Sequence, residues 1–587
     1  MNMIKQLYTI ILMSSLTGCA SMQGAPVAEG GKTALNASVV KPALAQLRVD
    51  RPVDVAPLVS NYLAAIISES RGDVDGAAVY YAQAQVADPE NVYLKEKTFS
   101  LQLGMGNMEE AVRLARSLEG YGAPLVPLMQ MTLGVQAFQV GDLKKARAYM
   151  EEAALASPKL LHFKLISAYI DLEEGRDVDT VLEEIEGFAH HASLTPRRFY
   201  HMGRILEMSG RFDEAIGAYA ASQGLDPVSV FPTMRMGAIY RQREEPLKAR
   251  SVYNSFLKMN PSSLMLDRII RNFDEGKPAG YLRNSLKQNI AEVLFGFSTV
   301  MAAQHKGLAS YQLLNMAMEL DPDYDFSSFY YAVLAEQEGL LHKALSYYKK
   351  VDESQQTWLV SQMRIAEINF ALGKRKEAIS LMKKLSAQYK DTLLVTRALA
   401  EMYYSAGNYK DSVKLYTVLI DALKDKDNPA HAWLYFARGA SYERLQRFAQ
   451  AEVDLEQSIK IQPNNAVALN YLGYMWLDRN EKMDKATEYI TRALVLRPQD
   501  GAILDSMGWL LYKQKNYLSA AKFIEKALDY IPDDATVLSH LGDIYSALER
   551  TEDAHEMWAA ALELAGKDVQ LRKDLKRKLA GLTKAQK

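Results

Sequence analysis

The chain has 587 residues, with 69 basic and 71 acidic side chains and a single cysteine. Because the charges almost cancel, no overall field would attract nucleic acid or an anionic membrane, and one cysteine excludes an intramolecular disulfide. About half of the residues are hydrophobic, which is typical of a folded chain rather than a disordered one.

The first segment, residues 1–18, is predicted to be a secretory signal peptide. Lys5 gives a positive charge, and an apolar run follows from Leu7 to Leu16. This run is shorter than the roughly 20 residues that a membrane-spanning helix needs, so it fits the hydrophobic region of a signal. We therefore expect an exported protein whose mature form has no transmembrane helix.

The only cysteine, Cys19, follows Leu16-Thr17-Gly18 directly. It could be a buried structural thiol, a catalytic thiol or the first residue of the mature protein. An aliphatic residue, two small residues and a cysteine resemble a bacterial lipobox, which implies lipidation of Cys19. Ala20 and Ser21, where an aspartate would indicate the inner membrane, imply an outer-membrane lipoprotein. An ordinary signal peptide with a coincidental cysteine is the alternative. Residues 19–50 are rich in Ala, Gly, Val and Ser, which favours a flexible tether.

A repeat of about 34 residues runs through most of the remaining chain. Glycines recur at Gly439, Gly473, Gly508 and Gly542, with spacings of 34, 35 and 34 residues. Each unit predicts two helices: in the last one, apolar residues around Gly542 share one helical face, and a second stripe follows after a short turn. We expect 11 to 14 such units between about residues 58 and 564.

This pattern resembles the tetratricopeptide repeat, in which glycine in the first helix and alanine in the second let two backbones approach closely. The resemblance implies an all-α fold of helix-turn-helix repeats, stacked into a right-handed α-solenoid superhelix. Breaks in the period predict an N-terminal repeat block over 51–263, an irregular joint over 264–290 and a C-terminal repeat block over 291–568. The basic end, residues 569–587, is predicted to be a capping helix, with a binding role as the alternative.

The sequence predicts no enzyme. Gly30-Gly31-Lys32-Thr33 lacks the first glycine of a phosphate-binding loop and follows no strand, no H-E-x-x-H or G-x-S-x-G motif occurs, and a lipidated Cys19 would leave no thiol nucleophile. We expect no catalytic residues, no metal, no cofactor and no nucleic-acid partner. A glycan-binding or glycan-cleaving protein of the cell wall is kept as a rival hypothesis.

Stacked repeats of this family offer a concave face, formed by positions of each first helix that are not used in packing. Aromatic and arginine side chains at such positions are typical of binding hot spots. Projecting the groove positions of the family onto this sequence predicts a protein-binding groove made of Tyr200, Arg204, Phe231, Met234, Arg241, Phe329, Trp433, Phe436, Arg444, Asn470, Tyr474, Asp505, Trp509 and Tyr512. The lysine and asparagine neighbours of a carboxylate clamp are absent around Asn470.

As a whole, the chain resembles the long repeat lipoproteins of Gram-negative bacteria. In particular, it is similar to those that bind a periplasmic carboxyl-terminal processing protease and deliver cell-wall hydrolases to it. The resemblance implies a non-enzymatic scaffold or adaptor, held by its lipid at the periplasmic face of the outer membrane. An assembly factor for a pilus, a secretin or polysaccharide export is the alternative.

Overall fold

The computed structural model describes residues 55–121, 125–157, 160–188, 191–277, 284–566 and 568–585. The predicted signal peptide, the tether and Cys19 lie outside these residues. The helices of the first part of the chain are α1 Val55–Ser70, α2 Val74–Ala87, α3 Val92–Met105, α4 Met108–Ser117, α5 Val126–Gln139, α6 Leu143–Ala156, α7 Leu161–Glu173, α8 Val178–Glu186, α9 Thr195–Met208, α10 Phe212–Leu225, α11 Val230–Gln242, α12 Pro246–Met259, α13 Asp267–Asp274, α14 Leu286–Ala303, α15 Gly307–Leu320, α16 Asp325–Gln337 and α17 Leu341–Tyr348.

The later helices are α18 Trp358–Ala371, α19 Arg375–Gln388, α20 Leu393–Ser405, α21 Tyr409–Asp421, α22 Ala432–Arg444, α23 Phe448–Ile461, α24 Ala466–Asp478, α25 Met483–Leu496, α26 Gly501–Lys513, α27 Tyr517–Leu528, α28 Ala535–Ala547, α29 Thr551–Leu564 and α30 Val569–Ala585. Two short 3₁₀ turns, Ala192–Leu194 and Pro429–His431, precede α9 and α22. The described chain contains no β-strand, so the predicted all-α class is confirmed. None of its helices is long and apolar enough to cross a bilayer.

Consecutive helices pack as pairs: α1 with α2 and so on through α11 with α12, then α14 with α15, α16 with α17, and α20 with α21 through α28 with α29. The repeating glycines explain the close approach within a pair. A Cβ atom on Gly508 would lie 2.5 Å from Cδ1 of Ile524, and one on Gly542 would lie 2.5 Å from the indole of Trp558. The predicted packing role of these glycines is confirmed, because a larger residue would push the two helices apart.

The chain forms two compact units, and among the described residues the first ends at Ile368 and the second begins at Asn369. In the second unit, each pair packs on the next, and α30 packs on α29. Leu575 of α30 is fully buried in the last hydrophobic cluster, so this helix packs its apolar side against the last helix pair.

In the first unit, the helices after the break in the repeat do not continue the stack. We call α14 and α15 the central pair, because they pack against the earlier first helices: α14 against α7, and α15 against α3 and α5. Apolar side chains such as Leu294 and Met316 are fully buried in the same cluster as Phe99 and Ile166. The central pair is therefore part of the core that the N-terminal repeats enclose.

Between α12 and α14, the described residues form one short helix, α13. However, the predicted division into blocks 51–263 and 291–568 is not the division that the structure has. Residues 286–320 return to the N-terminal helices, and the boundary between compact units lies about 80 residues later, within α18.

Candidate protein-binding groove

The predicted groove residues of the first unit are covered by the chain's own helices. Arg204 is 0% exposed, Met234 is 1%, and Tyr200 and Phe329 are 8% and 7%. Met234 lies in one buried cluster with Phe295 of α14. Phe329 lies against Tyr348 of the neighbouring helix, with ring centroids 5.7 Å apart.

A buried ionic cluster joins α9 and α11 to α14. Arg204 Nε donates to Oε2 of Glu292 at 3.0 Å, and the Tyr200 hydroxyl donates to Oε1 at 2.8 Å. Arg235 lies 3.5 Å from Glu292 and from Glu207. Burial favours the neutral form of Glu292, but Arg204 and Arg235 outweigh it and lower its pKa to about 2. Two arginines and two glutamates thus balance their charges in the core.

The other two predicted residues of this region are partly exposed and contact other parts of the chain. Phe231 packs edge-on against Phe295 and Phe326, with centroids 5.5 and 4.8 Å away. Arg241 donates to the backbone carbonyl of Lys277. The expectation of an open groove is therefore corrected at Tyr200, Arg204, Met234 and Phe329, which the chain's own helices bury.

Polar side chains of the central pair fix it to the surrounding helices. Gln312 donates to the Ser100 carbonyl at 2.8 Å, and Asn315 donates to the carbonyls of Leu103 and Gly104 at 2.8 and 2.9 Å. A Cβ atom on Gly104 would lie 2.4 Å from Leu308, so this glycine gives the central pair room to approach.

These contacts were not predicted, although one signal in the sequence points to them. Helix α14 reads LKQNIAEVLFGFSTVMAA, which is apolar around most of its circumference. A helix of that kind is buried on several sides rather than on one face.

At the start of the second unit's groove, the predicted residues are only partly available. Phe436 is 7% exposed and packs edge-on against Tyr471 at 5.4 Å. Trp433 is partly exposed, and the Arg397 guanidinium lies 4.4 Å from its ring centroid. Arg444 keeps 46% of its side chain exposed, next to Glu443 at 3.5 Å.

Further along, α24, α26 and α28 present a column of aromatic rings. Tyr474, Trp509 and Tyr512 are each partly exposed. The ring of Trp509 stacks on that of Tyr512, with centroids 4.7 Å apart. It also stacks on the ring of His540, with centroids 4.1 Å apart. Tyr474 lies 6.5 Å from His540. Among the described residues, the helices that pack on α24 and α26 belong to the same repeat or to an adjoining one, so no counterpart of the central pair covers this face within the second unit.

Two further predicted residues, Asn470 and Asp505, lie beneath this column and are 3% and 7% exposed. Asp505 Oδ1 is 2.8 Å from Nδ1 of His540. Burial alone would lower the pKa of His540, but the carboxylates of Asp505 and Asp543 outweigh it, so the pKa is raised above its ordinary value. His540 is a groove residue that the sequence did not select.

Two buried polar atoms of this face have no hydrogen-bond partner among the described residues: Oδ1 of Asn470 and Nε1 of Trp509. Buried polar groups are normally hydrogen-bonded, so an unused acceptor and an unused donor are available to a ligand. The described residues hold no cluster of three or more potential metal ligands. The geometry can therefore bind a peptide-like group.

Family models of the tetratricopeptide repeat match residues 361–392, 395–430 and 436–501, which confirms the repeats there. The TPR repeat-containing protein PA4667 of Pseudomonas aeruginosa is 36% identical over 143 residues, or 22% of this chain and 24% of that protein. Anaphase-promoting complex subunit CDC16 of Saccharomyces cerevisiae is 27% identical over 149 residues, 24% of this chain and 17% of that protein. The chain thus spans a quarter or less of these curated relatives.

Among solved structures, the Cut9 and Hcn1 hetero-tetramer of the APC/C matches at 14% identity over 89% of this chain and 97% of that chain, with a TM-score of 0.36. A tetratricopeptide repeat protein of Parabacteroides merdae matches at 16% identity over 49% and 98%, with a TM-score of 0.34.

Proposed function

We propose that this protein is a non-enzymatic scaffold that binds partner proteins along the inner face of its second unit, while a lipid on Cys19 holds it at the periplasmic face of the outer membrane. The observation that carries the binding role is the aromatic column of Tyr474, Trp509 and Tyr512. These rings are partly exposed, and the unused donor of Trp509 lies among them. Large aromatic side chains beside unsatisfied polar groups are typical of interface hot spots.

The partners that we propose are a carboxyl-terminal processing protease and its cell-wall hydrolase substrates. A scaffold that tethers both would raise their effective concentration without adding a catalytic group. This role suits an array whose described residues offer a binding face.

Co-purification from the cell envelope tests the partners. Detergent-solubilised envelope is captured with the full-length protein and with the variant Trp509→Ala/Tyr512→Ala, and the bound proteins are identified by mass spectrometry. Tyr530→Ala is the matched control, because Tyr530 is 44% exposed outside the groove. We expect the groove variant, but not the control, to lose the protease and hydrolases.

Recovery of secretin, pilus or polysaccharide-export subunits without a protease would favour the assembly-factor alternative. Purified protein that cleaves peptidoglycan or cosediments with it would instead support direct action on the cell wall.

The anchor is tested by Cys19→Ser. We expect this variant to fold with unchanged helix content but to leave the outer-membrane fraction. Several acyl chains hold a protein firmly because each buried methylene contributes about 0.8 kcal/mol. A variant that stays in the outer-membrane fraction would refute the anchor.

A further inference from the structure

The aromatic column of the second unit lies in an acidic environment. Asp478 lies one helical turn after Tyr474 on α24. Burial first, and then the carboxylates of Asp505, Asp478, Asp534 and Glu443, raise the pKa of Tyr474. Asp478 is exposed and forms no ion pair within the described chain. Its carboxylate is therefore accessible to a cation from outside.

The cations near this face are engaged elsewhere. Lys578 of the capping helix lies 2.8 Å from Asp543 and 2.9 Å from Asp574. Lys513 approaches the Trp509 ring at 5.5 Å and Asn480 at 3.4 Å. Arg444 lies 3.5 Å from Glu443. Asp478 thus keeps a negative charge one helical turn from an aromatic ring, and such a site attracts a cation through charge and through the ring face.

A second, independent feature indicates which kind of molecule carries the cationic group. Asn470 lies one helical turn before Tyr474 on the same face, is 3% exposed, and its side-chain oxygen has no partner among the described residues. On the neighbouring helix α26, the Trp509 N–H also has no hydrogen-bond partner among the described residues. An acceptor and a donor on neighbouring helices match the N–H and C=O groups that an extended peptide presents.

We propose that this face binds an extended peptide segment of a partner protein that carries an arginine or lysine. The cationic side chain lies beside Tyr474, Asp478 and Asp505, and peptide amide groups bond to Asn470 and Trp509. This inference rests on the proposed function and defines the chemistry of the partner segment.

Selection from a phage-displayed library of random nonapeptides on the immobilised full-length protein tests the proposal. We expect recovered peptides to be enriched in Arg or Lys at one position. A fluorescein-labelled recovered peptide is then compared with versions in which that residue is Gln or Glu. We expect the Gln version to bind about fivefold to tenfold more weakly, as loss of a partly desolvated cation–π and ionic contact implies, and the Glu version to bind more weakly still.

Matched protein variants locate the site. Asp478→Asn alters an exposed carboxylate, so the fold should be kept, and it should weaken the Arg or Lys peptide while leaving the Gln version unchanged. Asp484→Asn, an equally exposed carboxylate on α25, should change neither. Tyr474→Leu should reduce binding with unchanged helical content.

Recovered peptides without Arg or Lys enrichment, or enriched in acidic residues, would overturn the proposal. If such peptides still lost binding in Trp509→Ala, the groove would remain a protein-binding site with another preference. If no peptide bound and Trp509→Ala/Tyr512→Ala kept every envelope partner, the groove would fail as a binding site altogether.

Discussion

The inner faces of the two units differ in what lies against them. In the first unit, the central pair covers Tyr200 and Arg204, and both are buried. In the second unit, Tyr474 and Trp509 directly follow the repeat glycines Gly473 and Gly508, as Arg204 follows Gly203, and they stay partly exposed. The repeat pattern therefore determines which way a side chain points, whereas a distant segment determines whether it is free to bind.

The pKa values of three buried histidines differ between the two units in the same way. Burial lowers the pKa of His162 to about 4 and that of His201 to about 3, so both are neutral in the closed interior of the first unit. The pKa of His540 is raised because carboxylates outweigh burial. The interior of the first unit thus keeps these two histidines neutral, whereas the carboxylates beside His540 favour its positive form.

The largest expected effect comes from breaking the ionic cluster of the first unit. Glu292→Ala should lower the free energy of unfolding by about 3–5 kcal/mol, because it leaves Arg204 and Arg235 buried without a shared carboxylate. Arg444→Ala in the second unit is the comparison. Its side chain is 46% exposed, so its loss should cost at most about 1 kcal/mol.

Urea unfolding followed by circular dichroism measures both losses. Hydrogen exchange assigns each to its unit, since two units need not unfold together. Equal losses of stability in the two variants would contradict the conclusion that the central pair fills the inner face of the first unit only.

The next largest difference in stability is expected between predicted groove residues of the two units. Met234→Ala should cost about 2–5 kcal/mol as a buried large-to-small change. Trp509→Ala and Tyr512→Ala should lower stability by only about 1 kcal/mol each, which is ordinary for partly exposed sites, while they weaken partner binding. Thermal unfolding beside a binding assay measures both quantities. A loss of several kcal/mol in Trp509→Ala would show that this ring belongs to the core.

These contrasts show how far the sequence can be interpreted. The spacing of Gly508 and Gly542 predicted the helix pairs, because close backbone approach is a local requirement. The partner of Arg204 could not be predicted, because Glu292 lies 88 residues away and its position depends on the chain turning back after α13. His540 was likewise missed, because its relation to Asp505 and Trp509 exists only once α26 and α28 lie side by side.

A smaller effect concerns acid stability of the first unit. His162 lies between Phe163 and Phe297, with centroids 4.3 and 4.9 Å away. Its folded pKa is lowered, so protonation favours the unfolded chain, and stability is lost as the pH falls below the unfolded value of about 6.5. Near pH 5 the loss should be about 2 kcal/mol.

His162→Phe removes this titration and keeps an aromatic ring in the site. Unfolding free energies measured from pH 7.5 to 5 should therefore fall less steeply in the variant than in the wild type. An unchanged slope would mean that His162 is not buried in its neutral form.

The smallest effect has the opposite sign and belongs to the second unit. The folded pKa of His540 is raised, so its pairing with Asp505 stabilises fully below the unfolded pKa and is lost as the pH rises through the folded one. His540→Gln should therefore cost more stability at pH 5.5 than at pH 8, with Asp543 and Lys578 also facing the site.

The same titration should affect peptide binding. At acid pH, an imidazolium beside Asp505 offsets the negative charge that attracts a cation. An Arg-containing peptide should thus bind the wild type more weakly at pH 5.5 than at pH 8, whereas His540→Gln should bind it with little pH dependence. Titrations by fluorescence anisotropy at the two pH values measure this difference, and a wild-type affinity that rises in acid would separate His540 from the cation site.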